Sequence, residues 1–471
     1  MESPQELLAE RLQTPLLTRT QGTVTGEGVC WHAAYGASRF AQGARQTGDG
    51  AYVQAGITYF DSLIARLYTA PDGHRGWVGP YIYDESIWGD VHVADAILVG
   101  PMLDLAEYVR LEAPPEVRTR FGPKAAEYVD LAEQLLAKWE DRGTWLEDGQ
   151  VGGYVAWDRF LDPADPGTWQ QRGAVLNAGS SLPSNKQQDM GIVHLRLYRL
   201  TGSAEHRRKA VLIFSYTRSR LSRHDGYYTW DYWEPFYPGD VDVAQGRLRH
   251  WVNTHPYRDY QTGEVDGMVE AFHSGIVFSA EDMRRLVRTN LRMWNGDEGE
   301  PRWVNSDREV NRAAVPGWEP PPAEGSGYPR LAGTLWRPLA EFDSTLARLA
   351  GRTADNPQYA RRRDLPVTEL EWPVPEVTLL QMGCVLPASL QRGEPAYLVS
   401  KARVPGPLRI TLMDESGAQQ IQELFSGQTS GGLDGLEGIL IRTWQAQMPP
   451  GTYRVRWALG AEQRDCPIFV R

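Results

Sequence analysis

Apolar residues recur at helical spacing through about the first 360 residues of this 471-residue chain. One example is Ala51–Tyr68, whose apolar side chains would form a single stripe on a helix: Val53, Ile57, Phe60, Ile64 and Leu67. The same spacing predicts further helices at Cys30–Ala44, Val91–Val109, Ala125–Trp139, Lys186–Leu200, Ala204–Leu221, Gly263–Ser274, Ala280–Trp294 and Leu335–Leu349.

Turn signals arrange these helices in pairs. Thr201–Ser203 stops one helix and starts the next, and Ser279–Asp282 has the S-x-x-D form of a capping box. Helical hairpins cannot bury their apolar faces alone, so they must stack as an open solenoid or close as an α/α toroid. Periodicity allows both. Short turns at one end and long aromatic, polar loops at the other favour the toroid, with a cleft at its loop-rich end.

The pattern changes to strand-like alternation near the C-terminus. Tyr453, Val455 and Trp457 would face one way, and Arg454 and Arg456 the other. Further strands are predicted at Leu408–Met413, Gly438–Trp444 and Pro467–Val470. We therefore predict a mainly α protein with an α/α toroid catalytic domain at 1–360 and a small β-sandwich domain at 367–471. The second domain contains no His and is expected to contribute stability or positioning without chemistry.

The overall charge of the chain argues against a nucleic-acid partner. The formal net charge is −11, whereas a non-specific nucleic-acid binder should be basic, so we expect no nucleic-acid partner. A locally basic cleft could still bind a polyanion. The candidate patch comprises Arg247, Arg249, His250, His255 and Arg258.

Three further features of the sequence concern the cellular location of the protein and its cysteines. No run of about 18 apolar residues predicts a membrane span. The N-terminus lacks the form of a signal peptide, so we expect a cytoplasmic protein, or a secreted or periplasmic one if an export signal has been removed. The three cysteines show no metal-binding spacing; Cys384 and Cys466 could pair or remain thiols. We expect no cofactor, although the sequence leaves a divalent cation open.

One segment combines several groups suited to carbohydrate chemistry. WVNTHPYRDY, Trp251–Tyr260, contains an amide, an imidazole, a guanidinium, an acid and two phenols, and an aromatic run at Tyr227–Asp240 precedes it. Aromatic rings stack on the apolar faces of sugars. The candidate sugar platforms are Trp88, Trp230, Tyr232 and Trp233. The alternative is a Tyr-rich loop that caps helices and packs in the core.

Three segments resemble the helical toroid of uronate-cleaving polysaccharide lyases and of the glucuronyl C5-epimerase C-terminal domain. They are Asn185–Ala210, Glu264–Gly296 and Leu335–Leu349. This resemblance implies a polysaccharide lyase that cleaves an acidic, uronate-containing polymer by β-elimination. The sequence departs from the family in having Tyr260 where a His is expected, and the nearest His is His255.

β-Elimination requires a neutralised carboxylate, a base and an acid. The resemblance assigns Asn185 to the carboxylate. We expect Arg258 to face the carboxylate with it, Gln188 to be a weaker helper, and Gln188 and Asn253 to bind substrate. His255 is the candidate base because imidazole titrates near neutrality. Tyr260 is the candidate acid, or the base if Arg258 lowers its pKa, and Tyr257 is the substitute.

Other functions remain open. Asp84, Glu85 and Asp90 precede a helix and could serve as the acid and base of a glycoside hydrolase on the same toroid. Asp90 and His92 are also candidate substrate-binding residues, although acids at a helix start commonly stabilise the helix dipole. Asp90, His92 and Asp95 match no strong metal motif, so no metal ligand is predicted. A uronate C5-epimerase and a non-catalytic carbohydrate-binding protein are the remaining alternatives.

Overall fold

The structure is a computed structural model that describes residues 2–471 except 14–24, 149–150, 173–174, 176, 224, 231, 234–236, 243–246, 250–257, 294–334, 350–379, 387, 403 and 430–438. Two compact units are present. The first combines Met1–Arg218, Asp259–Leu291 and Leu335–Val374. The second combines Ser219–Arg258, Arg292–Thr334 and Pro375–Arg471. The predicted domain boundary, 360–367, lies outside the described residues.

Helices dominate the first unit. They are α1 (Pro4–Leu12), α2 (Gly26–Ala34), α3 (Arg39–Thr47), α4 (Gly50–Ile64), α5 (His92–Glu107), α6 (Pro115–Asp141), α7 (Ser184–Thr201), α8 (Ala204–Ser219), α9 (Arg258–His273), α10 (Ala280–Met293) and α11 (Ser344–Leu349). A π-helical turn, Tyr108–Glu112, follows α5, and a 3-10 turn, Arg337–Glu341, precedes α11.

Helix α5 lies at the centre of this unit. Every residue of α5 except Pro101 is buried, as expected for a helix surrounded by other elements. Helix α7 runs parallel to it. Arg196, midway along α7, donates to the carbonyl of Gly100, and Arg199, nearer its end, donates to Glu107. Because the partners advance in the same direction along both helices, their N-termini lie at the same end.

Helices α2 and α9 extend the same parallel layer. Lys186 in the first turn of α7 pairs with Glu27 at the start of α2, with 2.9 Å between Nζ and Oε1. On the other side, Gln188 lies against Gly267 of α9, and Arg196 pairs with Glu270 further along. Four inner helices therefore present their N-termini at one end of the unit.

The connections show the asymmetry that was predicted from the sequence. Short turns link each inner helix to the next helix in the chain, as at Gly202–Ser203 between α7 and α8. Long connections of 65–91, 142–183 and 220–257 return the chain to the next inner N-terminus. Inner helices backed by outer ones are the arrangement expected of an α/α toroid; closure of the ring stays a prediction.

Strands occupy the long connections. The first two connections contain β1 (Tyr68–Thr69), β2 (Arg75–Gly76), β3 (Gly79–Tyr81), β4 (Asp84–Gly89), β5 (Trp145–Asp148), β6 (Val151–Tyr154), β7 (Arg159–Asp162) and β8 (Asp165–Gln171). One four-stranded sheet, ordered β3-β4-β7-β8, joins the two connections, with Trp88 opposite Leu161. Because β4 ends three residues before α5 begins, this sheet stands beside the inner N-termini.

The second unit is built on strands. They are β9 (Ser222–Arg223), β10 (Tyr228–Thr229), β11 (Val241–Asp242), β12 (Arg247–Leu248), β13 (Leu380–Leu386), β14 (Ser389–Leu390), β15 (Pro395–Ala402), β16 (Gly406–Met413), β17 (Gln420–Thr429), β18 (Ile439–Gln445), β19 (Gly451–Leu459) and β20 (Glu462–Val470). A β13-β15-β18 sheet and a β14-β20-β19-β16-β17 sheet share one apolar cluster, which contains Leu398 of the first and Trp457 of the second. The β-sandwich assignment stays a prediction. Cys384 and Cys466 are both unpaired thiols.

Three helix predictions differ from the structure. Helix α6 begins at Pro115, well before the predicted start at Ala125, and passes through Pro123. The predicted helix Cys30–Ala44 is divided into α2 and α3 because Gly36 adopts a positive φ of 71°. Leu335–Leu349 forms a 3-10 turn and a short helix instead of one helix.

Candidate functional site

The N-terminal ends of the inner helices gather polar side chains from three separate segments. Glu27 lies at the start of α2, His92 opens α5, and Asn185 and Lys186 lie in the first turn of α7. Glu27 is 2% exposed and pairs with Lys186. Its Oε1 also accepts a hydrogen bond from Nε1 of Trp31 at 3.3 Å. The parallel packing of the inner helices is what brings these distant parts of the chain together.

Asp189 is the most unusual acid at this end. It follows Lys186 by three residues on α7, so the two side chains share a helix face. The pKa of the Asp189 carboxyl is raised to about 7, chiefly by burial; the charge of Lys186 opposes the rise, and the charge of Asp266 on α9 adds to it. The Asp189 side chain nevertheless keeps partial solvent exposure. Within the part of the chain that the structure describes, it makes no hydrogen bond or ion pair.

Several buried polar atoms near these acids have no hydrogen-bond partner among the described residues. The atoms concerned are Oδ1 of Asn185, Oε1 and Nε2 of Gln188, and Oε1 of Gln261. Oγ1 of Thr262 is also buried without a hydrogen-bond partner among the described residues. Leaving such a group unsatisfied costs about 1–3 kcal/mol, and native proteins leave few of them. These atoms are covered in this structure, and the hydroxyl groups of a ligand that reached them would satisfy them.

A pocket opens beside the pair formed by Glu27 and Lys186. Its walls come from the starts of α2, α5 and α7, from β3 and the β3–β4 turn, and from the connection that precedes α7. The described lining residues are Glu27, Tyr81, Tyr83, Val91, His92, Val93, Ala156, Trp157, Asn177, Ser180, Ser181, Leu182, Pro183 and Lys186. Oε2 of Glu27 is buried and has no hydrogen-bond partner among the described residues. The pocket therefore combines aromatic surface with a covered, unsatisfied acceptor.

His92 lines this pocket as a neutral ring. It stacks on Trp139 with 3.7 Å between ring centroids, and its Nε2 lies 2.8 Å from Oγ1 of Thr144. Burial lowers the pKa of His92 well below its ordinary value, and the charges of Lys138, Arg142 and Lys186 lower it further. His92 can therefore contribute shape and a hydrogen bond to the pocket, but not a charge at neutral pH.

Asp90, predicted to bind substrate or to act as a hydrolase carboxylate, has a structural role. Its Oδ2 lies 2.8 Å from Nζ of Lys138 and 2.8 Å from Nη1 of Arg142, and its side chain is fully buried. Because Asp90 forms ion pairs with both of these buried cations, its assignment as a substrate-binding or catalytic carboxylate is corrected to a structural role. Asp84 and Glu85 are exposed on β4. Hydrogen bonds from Ser86 lower the pKa of Asp84, which argues against a role as the acid.

The predicted sugar platforms differ in exposure. Trp230, Tyr232 and Trp233 belong to the second unit and are buried, with Trp233 wholly inaccessible. Their ring faces are covered, so the platform assignment of these three is corrected to core packing. Trp88 is partly exposed on β4 and meets Tyr68 edge to face, with 6.4 Å between ring centroids. Trp88 remains a candidate for sugar contact.

Several residues of the proposed proton chemistry cannot be placed. Asn253, His255 and Tyr257 lie outside the described residues. Arg258 and Tyr260 fall in the first turn of α9, and the structure describes their backbone only. The assigned carboxylate-binding residues Asn185 and Gln188 do lie together near the start of α7, and both are buried.

The sequence reasoning missed four acids and cations at this end. Lys186 and Asp189 are in the segment NKQQD, where their spacing of three residues was available as a signal. Asp266 belongs to a helix that was predicted, but its face could not be assigned. Glu27 carried no signal, because only the tertiary fold brings it to Lys186.

Neither a candidate metal cluster nor a candidate membrane-spanning helix occurs among the described residues. No group of three or more His, Cys, Asp or Glu side chains there could hold a metal ion. No helix among those residues is both long and apolar enough to span a bilayer.

Comparisons with known proteins give weak likenesses. No protein-family model matches the chain, and no curated protein matches it. Among solved structures, it is similar to an inactive variant of the α-1,6-mannanase GH76A of Salegentibacter sp. HEL1_6 in complex with α-1,6-mannotriose. That likeness has 13% identity and a TM-score of 0.37, and covers 77% of this chain and 82% of that chain.

A second likeness is to Pseudomonas fluorescens alkylpurine DNA glycosylase AlkC bound to DNA containing an abasic site analog. It has 14% identity and a TM-score of 0.16, and covers 29% of this chain and 45% of that chain. Both TM-scores are too low to establish a shared fold or a correspondence between residues.

The predicted enzyme class is wrong. The mannanase is a glycoside hydrolase, whereas the sequence led us to a carbon–oxygen lyase. The described site offers a physical reason for the correction. A lyase must bind and neutralise a uronate carboxylate, but Lys186, the cation described among Glu27, Asp189 and Asp266, is already paired with Glu27.

Proposed function

We propose that this protein is a glycoside hydrolase, with Asp189 as its general acid and Asp266 as the second carboxylate. The observation that carries the proposal is the state of Asp189. Its carboxyl is partly exposed, has no hydrogen-bond or ion-pair partner among the described residues, and has a pKa of about 7. A partly exposed acid with a strongly perturbed pKa is a recognised sign of a functional site.

A carboxyl with this pKa can hold a proton at neutral pH and still release it readily. Cleavage of a glycosidic bond needs such a donor, because the leaving oxygen must take a proton as its bond to the anomeric carbon breaks. Asp189 would donate the proton from its carboxyl group and become a carboxylate. This assignment explains why an acid is kept in an environment that disfavours its charge.

Asp266 supplies the second carboxylate that glycoside hydrolysis requires. It stands on α9 facing the helix that carries Asp189, and its charge acts on Asp189. In one mechanism it removes a proton from the attacking water; in the other it bonds to the anomeric carbon and water later displaces it. In both mechanisms one glycosidic bond breaks and one water molecule is consumed.

The unsatisfied amides fit this reaction as substrate-binding groups. Gln188 lies one residue before Asp189, and Gln261 lies in the first turn of α9. Their available atoms can donate to and accept from sugar hydroxyls. Such hydrogen bonds would replace the missing internal ones and hold the glycosidic oxygen near the acid.

The alternative of a non-catalytic carbohydrate-binding protein accounts for less of this geometry. Available amides and aromatic rings serve binding as well as catalysis. A carboxyl with a pKa near neutrality adds nothing to the binding of a neutral sugar, yet a proton donor needs it.

The test uses matched carboxyl-to-amide substitutions and a panel of neutral and uronate-containing glycans, with release of reducing ends as the readout. Asp189→Asn and Asp266→Asn should each lower turnover by about 10²–10⁴-fold, the usual worth of general acid–base catalysis. Asp130→Asn on the exposed side of α6 is the control and should keep wild-type turnover. Full activity in both test variants would contradict the proposal, as would a product that is unsaturated instead of hydrolysed.

A further inference from the structure

We infer that the ion pair between Arg196 of α7 and Glu270 of α9 is a positioning contact that holds Asp189 and Asp266 at the separation that hydrolysis requires. This inference rests on the proposed function and goes beyond it, because it names residues away from the reacting groups. The two carboxyls of a glycoside hydrolase lie about 5–5.5 Å apart when one is the nucleophile and about 6.5–9.5 Å apart when one activates water. A contact that fixes this separation therefore fixes the mechanism.

The ion pair and the two acids share one helix interface. Arg196 follows Asp189 by seven residues, about two turns of α7, so both side chains lie on nearly the same face of that helix. Glu270 follows Asp266 by four residues, about one turn of α9, and these two also share a face. Since the ion pair joins the two faces, it turns both acids toward the same interface.

Glu270 is held at both of its carboxylate oxygens. Arg196 donates from Nε to Oε1 at 3.0 Å and from Nη2 to Oε2 at 2.9 Å. Arg199, about one turn further along α7, donates from Nη2 to Oε1 at 2.8 Å. Two parallel bonds from one guanidinium fix orientation as well as distance, which a Lys ammonium does not. Helices α7 and α9 therefore cannot slide or turn past each other here without breaking these bonds.

The same arginines tie the ion pair to the central helix α5. Arg196 donates to the carbonyl of Gly100, and Nη2 of Arg199 donates to Oε2 of Glu107 at 2.9 Å. Glu270 is 0% exposed and Arg196 is 6% exposed, so water competes little for their bonds. Removing either partner would leave a buried charge without compensation. Three inner helices are thus locked together by one buried contact.

The two helices are also close together at the acids themselves. Gln188 and Gly267 are the sequence neighbours of Asp189 and Asp266, and a Cβ added at Gly267 would lie 2.6 Å from Oε1 of Gln188. Burial is the main cause of the raised pKa of Asp189, Lys186 opposes the rise, and the charge of Asp266 adds to it. Because a Coulomb interaction weakens with distance, the pKa of Asp189 reports how closely α9 is held.

The test compares Arg196→Lys with Arg45→Lys in the full chain. Arg196→Lys keeps the positive charge but loses the two-point contact with Glu270. Arg45 makes a matched buried contact away from α7 and α9, pairing with Asp104 of α5 at 2.9 Å and with Glu112 of the π-helical turn at 2.8 Å. Both variants should lose stability, but only Arg196→Lys loosens the interface between α7 and α9.

Two measurements separate positioning from stability. The first is a carbon-13 NMR titration of the Asp189 carboxyl, whose signal is identified by its absence in Asp189→Asn. The pKa of Asp189 should fall in Arg196→Lys, because Asp266 is held less closely, and should keep its wild-type value in Arg45→Lys. The second is kcat for hydrolysis, which should fall by about 10- to 10²-fold in Arg196→Lys, the usual result of a small misplacement of reacting groups. In Arg45→Lys kcat should stay near wild type.

A milder variant covers the case in which Arg196→Lys does not fold. Arg199→Lys removes one donor to Glu270 and keeps Arg196, so both measurements should change in the same direction by less. The inference is overturned if the pKa of Asp189 is unchanged or raised in every folded variant of Arg196 and Arg199.

The proposed function fails separately. If Asp189→Asn hydrolyses glycan as well as wild type while the pKa of Asp189 still falls in Arg196→Lys, the ion pair positions two carboxyls that are not the reacting groups. If hydrolysis depends on Asp189 but Arg196→Lys matches Arg45→Lys in both measurements, the catalytic assignment stands and the positioning contact does not.

Discussion

Nζ of Lys186 lies 2.9 Å from Oε1 of Glu27, and the same ammonium lowers the pKa of Asp189 one helical turn away. One cation thus serves two acids, one from α2 and one on its own helix. It holds the charge of Glu27 in a buried position and limits how far the pKa of Asp189 rises. The pair links the buried start of α2 to the proposed acid.

Replacing Lys186 should shift the pH dependence of hydrolysis. Lys186→Met removes the positive charge, so the pKa of Asp189 should rise and the basic limb of kcat/KM should move to higher pH. Lys186→Arg keeps the charge and should leave the limb near its wild-type position. The measurement is a pH profile of kcat/KM for both variants. A limb that stays in place, or moves to lower pH, in Lys186→Met would count against this electrostatic coupling.

Stability should depend on pH through Asp189. An unperturbed Asp titrates near about 3.9, and the folded-state pKa is about 7. Between these values the folded chain binds more protons than the unfolded chain. The contribution of this group to the free energy of unfolding should therefore be full below pH about 4, fall as the pH rises toward 7, and stay low above it.

Asp189→Asn removes this dependence. Denaturant unfolding at several pH values should show the variant gaining stability relative to wild type as the pH rises through that window. Asp130→Asn should instead follow the wild-type pH dependence. A constant difference between Asp189→Asn and wild type from pH 4 to 8 would show that the pKa of Asp189 is not raised.

Asp90 and Asp84 should behave in opposite ways although they are six residues apart. Asp90→Asn leaves Lys138 and Arg142 buried with less compensation, and breaking such a pair costs about 3–5 kcal/mol. Asp84 is exposed, so Asp84→Asn should leave stability and hydrolysis unchanged. Denaturant unfolding and a reducing-end assay check both variants. Loss of hydrolysis in a stably folded Asp84→Asn protein would restore the β4 carboxylates as the site.

Gly267 offers a way to disturb Gln188 without replacing it. A Cβ added at Gly267 would lie 2.6 Å from Oε1 of Gln188, so Gly267→Ala must push the amide aside. We expect KM to rise by about tenfold, the worth of one hydrogen bond of about 1.4 kcal/mol. Gly263→Ala on the same helix meets no atom within 4 Å and should bind substrate normally. Equal KM values in the two variants would remove Gln188 from the proposed binding site.

The sequence predicts the helical hairpins well because their signals are local. Ser279 and Asp282 form the expected capping box, with hydrogen bonds between Oγ and Oδ2 and between the Asp282 amide and Oγ of Ser279. The α7–α8 turn at Gly202 likewise follows from the left-handed conformation that Gly readily adopts.

The site is less predictable because its partners come from distant segments. Lys186 and Glu27 are separated by 159 residues, and no periodicity shows that α2 and α7 begin side by side. Asp90 misled the sequence reasoning for a similar reason, since Lys138 and Arg142 reach it from α6 and the turn that follows. Carboxylates near a helix start look alike in sequence whether they bind a substrate or a buried cation.

The most direct test of the central claim is the dependence of hydrolysis on the leaving group in Asp189→Asn. A general acid matters for a poor leaving group, such as a sugar hydroxyl, and matters little for a good one, such as dinitrophenolate. We predict that Asp189→Asn loses about 10²–10⁴-fold in kcat/KM on a natural glycosidic bond and less than about tenfold on the activated aryl glycoside of the same sugar. Asp130→Asn should match wild type on both substrates. An equal loss on the two substrates, or no loss on either, would contradict the assignment of Asp189 as the proton donor.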